Sequence, residues 1–311
     1  MRKSPWLGNL LLLLAALIWG CAFVAQSMGN EHVGPFTFQA SRSLLGAAVL
    51  FPFAWLRIGA AKRKGAWQPP SPRSRRMLLW GGVACGVLLA VAMNLQQVAL
   101  VESTAGKAGF LTALYILFVP LAGYFVGKSP RPALWLCILL AAVGLYLLSV
   151  QEGFTIARSD WLLILCAVVF TIHILVVDRV SPHVSGVQLS AVQFLVAGVL
   201  SLVLVILFEK PTLSALMGAW APILYTGVLS SGVAYTLQIV GQRLTTPTLA
   251  SLMMSLESVF AVLCGMLVLG ESLSAREALG CVLMFGAILL AQWAQLPRKD
   301  LIVKEEARES V

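Results

Sequence analysis

Along this chain, long apolar runs alternate with short polar segments, and each run is long enough to cross a bilayer as a helix. Eight runs occupy 6–26, 35–56, 77–98, 104–126, 132–150, 160–177, 186–208 and 220–240. Two more lie within 247–292, joined by the polar hinge Gly270-Glu271-Ser272-Leu273-Ser274. The pattern therefore predicts ten transmembrane helices and an all-α integral membrane protein. The connections are too short for a soluble domain, and the charged segment 297–311 has no apolar face, which predicts a disordered tail at the membrane surface. The first run follows Arg2 and Lys3 with no small-residue cleavage site after it, so it reads as a retained helix and not as a signal peptide.

Composition agrees. Apolar residues make up 59% of the 311, charged residues 11%, and the mean hydropathy is +0.89, far from the soluble balance of about a quarter charged. The net charge of +9 sits in the segments between apolar runs, where it orients the chain in a membrane, so nucleic acid is not an expected partner. The basic stretch Lys62-Arg63-Lys64 with Arg73, Arg75 and Arg76 reads as an orientation signal touching anionic lipid, and Trp67 and Trp80 beside it as interfacial anchors. The six cysteines are scattered singly through apolar runs and read as small packing residues; no metal site or cofactor is expected.

With the N-terminus inside, 17 Lys and Arg fall in cytoplasmic segments and 3 (Arg158, Lys210, Arg276) in outer loops, while Arg42 and Lys107 lie within spans. This bias places both termini in the cytoplasm of a cell with this protein in its plasma or inner membrane. The ten spans also align as two fives. Trp80 and Leu95-Gln96 correspond to Trp220 and Leu237-Gln238, and Gly144 to Gly286, at a nearly constant offset. An odd number of spans per half inverts the second half, which predicts an inverted repeat with a site near the midplane where the halves meet.

The segment SLESVFAVLCGMLVLGESLSAREALGCVLMFGAILLA, with its Leu-Gly-Glu hinge and Gly-rich final helix, resembles the end of an EamA-type repeat of the drug/metabolite transporter superfamily. Trp19-Gly20-Cys21-Ala22-Phe23-Val24 and Ser41-Arg42-Ser43-Leu44-Leu45-Gly46 resemble its opening. Two departures stand out: Lys128 replaces Glu271 in the first repeat, and Ser258 stands where the family often has Pro. The resemblance covers nearly the whole chain and implies two five-helix repeats, 1–150 and 151–296, followed by the tail. It also implies export or exchange of amino acids, other metabolites or cationic drugs.

No other acidic residue within a span lies as deep as Glu257, about ten residues past Pro247 and so roughly 15 Å into the membrane at ~1.5 Å per residue. An ionised carboxylate there costs at least about 2.5–3.5 kcal/mol, so it is paired structurally, binds a substrate ammonium, or couples a proton because desolvation disfavours its charged form. Arg42 either snorkels outward or grips a substrate carboxylate with its two-pronged guanidinium. Lys107, in Ser103-Thr104-Ala105-Gly106-Lys107-Ala108-Gly109, lacks phosphate-loop spacing and is a snorkelling cation or part of an outer gate. Asn94, Gln96 and Gln97 lie at the outer end of the third span, and their counterparts Thr236, Leu237 and Gln238 at the inner end of the eighth. Two gates or plain interhelical hydrogen bonding account for them equally. His173 reads as a hydrogen-bonded histidine before a proton relay, the stripe Thr248, Ser251, Ser255, Ser258 as close packing, and Trp19 as the wall of a cavity.

Cationic groups in the outer half with one midplane carboxylate complement a zwitterion such as an amino acid, or an organic cation if Arg42 and Lys107 face elsewhere. The expected function is a secondary transporter, an exporter of a small metabolite by alternating access, acting as a monomer or homodimer. No Walker motif supplies ATP. A membrane-embedded lipid-modifying enzyme would need clustered Asp, Glu or His, and only Asp178, Arg179 and His183 approach that. A channel would need a filter-like segment, which is absent.

Overall fold

The computed structural model describes residues 5–125, 132–149, 157–269 and 274–295. Within these residues the chain is helical, with no strand. Residues 270–273 of the predicted hinge 270–274, the tail 297–311 and the pair Lys128 and Glu271 lie outside the described residues. Eight helices are long and apolar enough to cross a bilayer. The remaining two runs form the helices α6 (Pro132–Ser149) and α14 (Ala275–Gln295), with shorter apolar stretches, Pro132–Leu147 and Ala278–Ala291.

Three helices are continuous from the start: α1 (Pro5–Asn30), α2 (Pro35–Arg63) and α3 (Pro72–Ala99). Proline at the first turn suits α2 and α3, because its missing N–H would have no intrahelical partner there. Ser71 caps α3 by accepting from Ser74 N–H, whereas the cap residue of α2 is Gly34 and offers no side chain. Glu209 replaces it. Its carboxylate accepts from Phe36 N–H at 3.0 Å, Thr37 N–H at 2.8 Å and Thr37 Oγ1 at 2.6 Å. A carboxylate at a helix N-terminus satisfies orphan donors and complements the dipole.

Three predicted spans are not single α-helices. The fourth divides into α4 (Ala105–Thr112) and α5 (Tyr115–Phe125). Pro120 in α5 cannot donate to the Ile116 carbonyl and crowds it, and the chain just before tightens to i→i−3 bonds, Ile116 N–H to Ala113 O and Leu117 N–H to Leu114 O. After α7 (Arg158–Val180) and α8 (Gly186–Phe208), the short helix α9 (Leu213–Gly218) precedes the eighth span, which begins as α10 (Trp220–Leu224). A π-helical stretch, Tyr225–Ala234, then leads into α11 (Tyr235–Gln242). The ninth divides into α12 (Pro247–Met254) and α13 (Glu257–Leu269). Here the serine stripe acts on the backbone: Ser251 and Ser255 hydroxyls donate to the carbonyls of Thr248 and Leu252, a pattern that bends helices. Ser258 instead donates to Gly109 O across in α4 at 3.0 Å.

The helices pack in a bundle in which α2 lies on α8, α3 on α7 and α8, α1 on α11 and α13, and α6 on α14. Small residues set the closest approaches. A Cβ at Gly86 of α3 would stand 2.8 Å from the carbonyl oxygen of Gln193 in α8. The outward faces carry large apolar side chains, among them Phe53, Trp55, Leu139, Ile206, Leu267 and Leu289. So much exposed apolar surface fits lipid rather than water.

Candidate functional site: a cavity between buried Arg42 and Glu257

The helix irregularities converge on one cavity of about 470 Å³, counting its open mouth. Helix α1 contributes Trp19, Phe23 and Gln26, α2 Arg42, and α3 Gln96. The two halves of the broken fourth span contribute Thr112 and Tyr115, and α7 contributes Phe170 and Ile174. Ser230, Tyr235 and Gln238 come from the π-helical stretch and α11, and Met254 and Glu257 from either side of the break in the ninth span.

Each irregularity delivers a side chain. In an α-helix Ser230 and Tyr235, five residues apart, would point about 140° away from each other. The i→i−5 bond of the π-helix, Tyr235 N–H to Ser230 O, brings them over one another, and both face the cavity. Glu257 begins α13 and Tyr115 begins α5, so the two breaks meet. Tyr115 Oη donates to Glu257 Oε1 at 2.8 Å, and the other carboxylate oxygen has no hydrogen bond among the described residues.

Arg42 is buried, at 2% exposure, so it does not snorkel. Its Nη1 donates to Gln26 Oε1 at 2.6 Å and its Nη2 to Ser230 Oγ at 2.9 Å, while Nε has no partner among the described residues. Arg42 and Glu257 line the same cavity without pairing: the ion pair among the described residues is Lys107 Nζ to Asp160 Oδ2 at 2.8 Å. Tyr235 lines the same cavity, within electrostatic reach of both, its ring 4.7 Å from that of Trp19 centroid to centroid. The indole Nε1 of Trp19 is enclosed and has no acceptor among the described residues.

The model of the EamA-like transporter family matches residues 6–150 and 157–293, nearly the whole chain. The chain belongs to the EamA-like transporter family. Its relatives are named as transporters and not as enzymes. It is 28% identical over 284 residues to an uncharacterized transporter of Archaeoglobus fulgidus, covering 90% of this chain and 83% of that one. It is 26% identical over 294 residues to the uncharacterized inner membrane transporter YedA of Escherichia coli, covering 92% and 91%. It is 27% identical over 297 residues to the uncharacterized transporter YwfM of Bacillus subtilis, covering 94% and 95%. A solved crystal structure of a protein superimposes with a TM-score of 0.72 over 92% of this chain and 96% of the other, at 22% identity, and so shares the fold.

In this EamA-like protein the residues singled out from sequence separate into two groups. Glu257, Arg42 and Trp19 line the cavity, as does Gln96, whose Nε2 donates to Thr112 Oγ1 at 3.2 Å. Lys107 does not line it; its ammonium reaches Asp160, whose carboxylate also accepts from Ala157 N–H at the start of α7. Asn94 donates to Ser201 Oγ and the Ala90 carbonyl, and Gln97 to Asn30 Oδ1 and the Gln26 carbonyl. Both hold helices together. Gln97 touches the site only through Gln26, the residue that receives Arg42. Gln96 and Gln238, read from sequence at opposite ends of matched helices, share the wall of one cavity.

His173 is buried behind Tyr235, its Nε2 3.3 Å from Gln193 Oε1, and does not line the cavity. Asp178, Arg179 and His183 also lie away from the cavity wall. Among the described residues no three His, Cys, Asp or Glu side chains gather where they could hold a metal. Sequence reading missed Tyr115, Gln26, Ser230 and Tyr235. None of them carried a signal: Pro120 lies within α5, past the break, and Pro52 lies within the continuous α2, so a proline in a span does not mark a break here.

Proposed function

We propose that this EamA-like protein is a secondary transporter that binds a small zwitterion, such as an amino acid, between its halves and exports it by alternating access. One observation carries the reading: a buried guanidinium and a buried carboxylate face the same cavity unpaired, each with unused hydrogen-bonding capacity. Two desolvated charges that do not neutralise one another are costly, and a ligand with both charges offsets that cost at both ends. An organic cation would answer Glu257 and leave Arg42 uncompensated, so the zwitterion is favoured.

The broken fourth and ninth spans occupy corresponding places in the two fives. Paired discontinuous helices around a central site are the usual hallmark of inverted-repeat carriers. The Lys and Arg bias supports cytoplasmic termini. The cavity closes within one chain, so a monomer suffices, and a homodimer would carry one site per protomer. Transport is driven by the substrate gradient or by proton exchange at Glu257.

The test is thermal stabilisation of purified protein by amino acids, organic cations and phosphorylated metabolites, repeated on Glu257→Gln. A ligand at 100 times its dissociation constant adds about 2.7 kcal/mol. Amino acids are expected to stabilise the native protein and not a folded Glu257→Gln variant. Stabilisation by organic cations alone, or an equal response of both proteins, would refute the reading. In proteoliposomes, trans-stimulation by unlabelled amino acid separates a carrier from a channel.

A further inference from the structure

We infer that Gln238 is the residue that selects a primary ammonium over N-methylated ammonium in this cavity; the inference rests on the zwitterion reading above. Gln238 lies one turn beyond Tyr235 on α11 and is buried, at 2% exposure, in the cavity wall. Its amide makes no hydrogen bond among the described residues, and the enclosed atom is the oxygen, an acceptor. An enclosed acceptor without a donor is destabilising, and a ligand that brings an N–H removes the penalty.

The count of acceptors points to the same end of the ligand. A primary ammonium has three N–H donors. Glu257 already gives Oε1 to Tyr115, which leaves its second oxygen facing the ligand and at least two donors to be met elsewhere. Gln238 Oε1 is an enclosed acceptor in the same wall, and the Tyr235 hydroxyl, which has no hydrogen bond among the described residues, supplies another. The carboxylate end has its own donors in Arg42 Nε and Trp19 Nε1. A trimethylammonium brings no N–H, so it satisfies the charge of Glu257 and leaves Gln238 unanswered.

Gln242 provides an internal control. It lies one turn further along α11, is buried at 1% exposure with both amide atoms unpartnered, and does not line the cavity.

The experiment titrates purified protein with leucine, phenylalanine and their N-methyl and N,N,N-trimethyl derivatives, reading affinity from the concentration dependence of thermal stabilisation. For the native protein the trimethyl forms are expected to bind about ten- to a hundredfold more weakly than the parent amino acids, with the N-methyl forms between. Gln238→Leu, similar in size, is expected to abolish the ranking, and Gln242→Leu to preserve it. Equal affinity of native protein for parent and trimethyl forms would overturn the inference while leaving the zwitterion reading intact, and that comparison needs no variant. A ranking that survives Gln238→Leu would show steric exclusion, and an equal loss for all probes would place the amide at the carboxylate end; either overturns it. No stabilisation of native protein by any of the probes overturns both.

Discussion

Gly20 fixes how closely α1 and α13 approach, and Gly20→Ala tests whether that spacing holds the site. A Cβ at position 20 would stand 2.7 Å from both Ala261 N and the Phe260 carbonyl carbon, and closer still to Phe260 Cβ. Two of these are backbone atoms, so no rotamer change relieves them. Restoring ordinary contact at 3.4 Å to the two backbone atoms alone requires a shift of about 0.7 Å between the helices, the difference between 3.4 and 2.7 Å, and the closer Phe260 Cβ requires more. Overpacking of this kind costs about 1–3 kcal/mol. Alanine also gains roughly 0.5–1 kcal/mol of helix propensity over glycine, so the variant must be read against a control. Gly286→Ala serves, because a Cβ there meets nothing within 4 Å and gains the same propensity. Thermal unfolding in detergent is expected to separate the two variants by about 1–3 kcal/mol, with Gly20→Ala the weaker. Because Trp19 adjoins Gly20 and Glu257 lies one turn before Phe260, amino-acid binding should weaken in the same variant. Identical unfolding of the two variants would refute the claim that this contact is closed to a methyl group.

Two further perturbations test the frame around the site. Lys107→Met leaves the Asp160 carboxylate, 1% exposed, without its cation. A loss of about 1–2 kcal/mol is expected, discounted for the partial exposure of Lys107, with part of it regained in Lys107→Met/Asp160→Asn; a double-mutant cycle by thermal unfolding with no coupling would contradict the pairing. Glu209→Ala strips α2 of its substitute cap, and about 1–2 kcal/mol of stability should go with it. Faster hydrogen exchange at the Phe36 and Thr37 amides is the specific sign, and unchanged exchange there would exclude the capping role.

Hydropathy along the chain determined the class of this protein, because a bilayer forces backbone polar groups to pair within each span and so turns every long apolar run into helix. The positions of Arg42, Glu257 and Trp19 were legible for a related reason: a charge or indole deep in an apolar run has few places to go except a cavity or a partner. What hydropathy does not encode is where a span breaks, since Leu114 and Leu256 are as apolar as their neighbours. The breaks go with i→i−3 bonds before and after Tyr115, with hydroxyls taking backbone carbonyls and with the π-helical stretch, all set by bonds of three to five residues rather than by average composition. Nor does the sequence choose partners. Lys107 and Arg42 are both cations within spans, and only the packing of α4 on α7 gives one of them Asp160, while the approach of α1, α2 and the π-helical stretch gives the other Gln26 and Ser230 in the wall of the cavity that Glu257 also lines. The sequence by itself determined a membrane-spanning helical chain with charges buried in it; the tertiary structure decided which of those charges are paired and which line a cavity, because pairing depends on distances of a few ångströms between helices far apart in the chain.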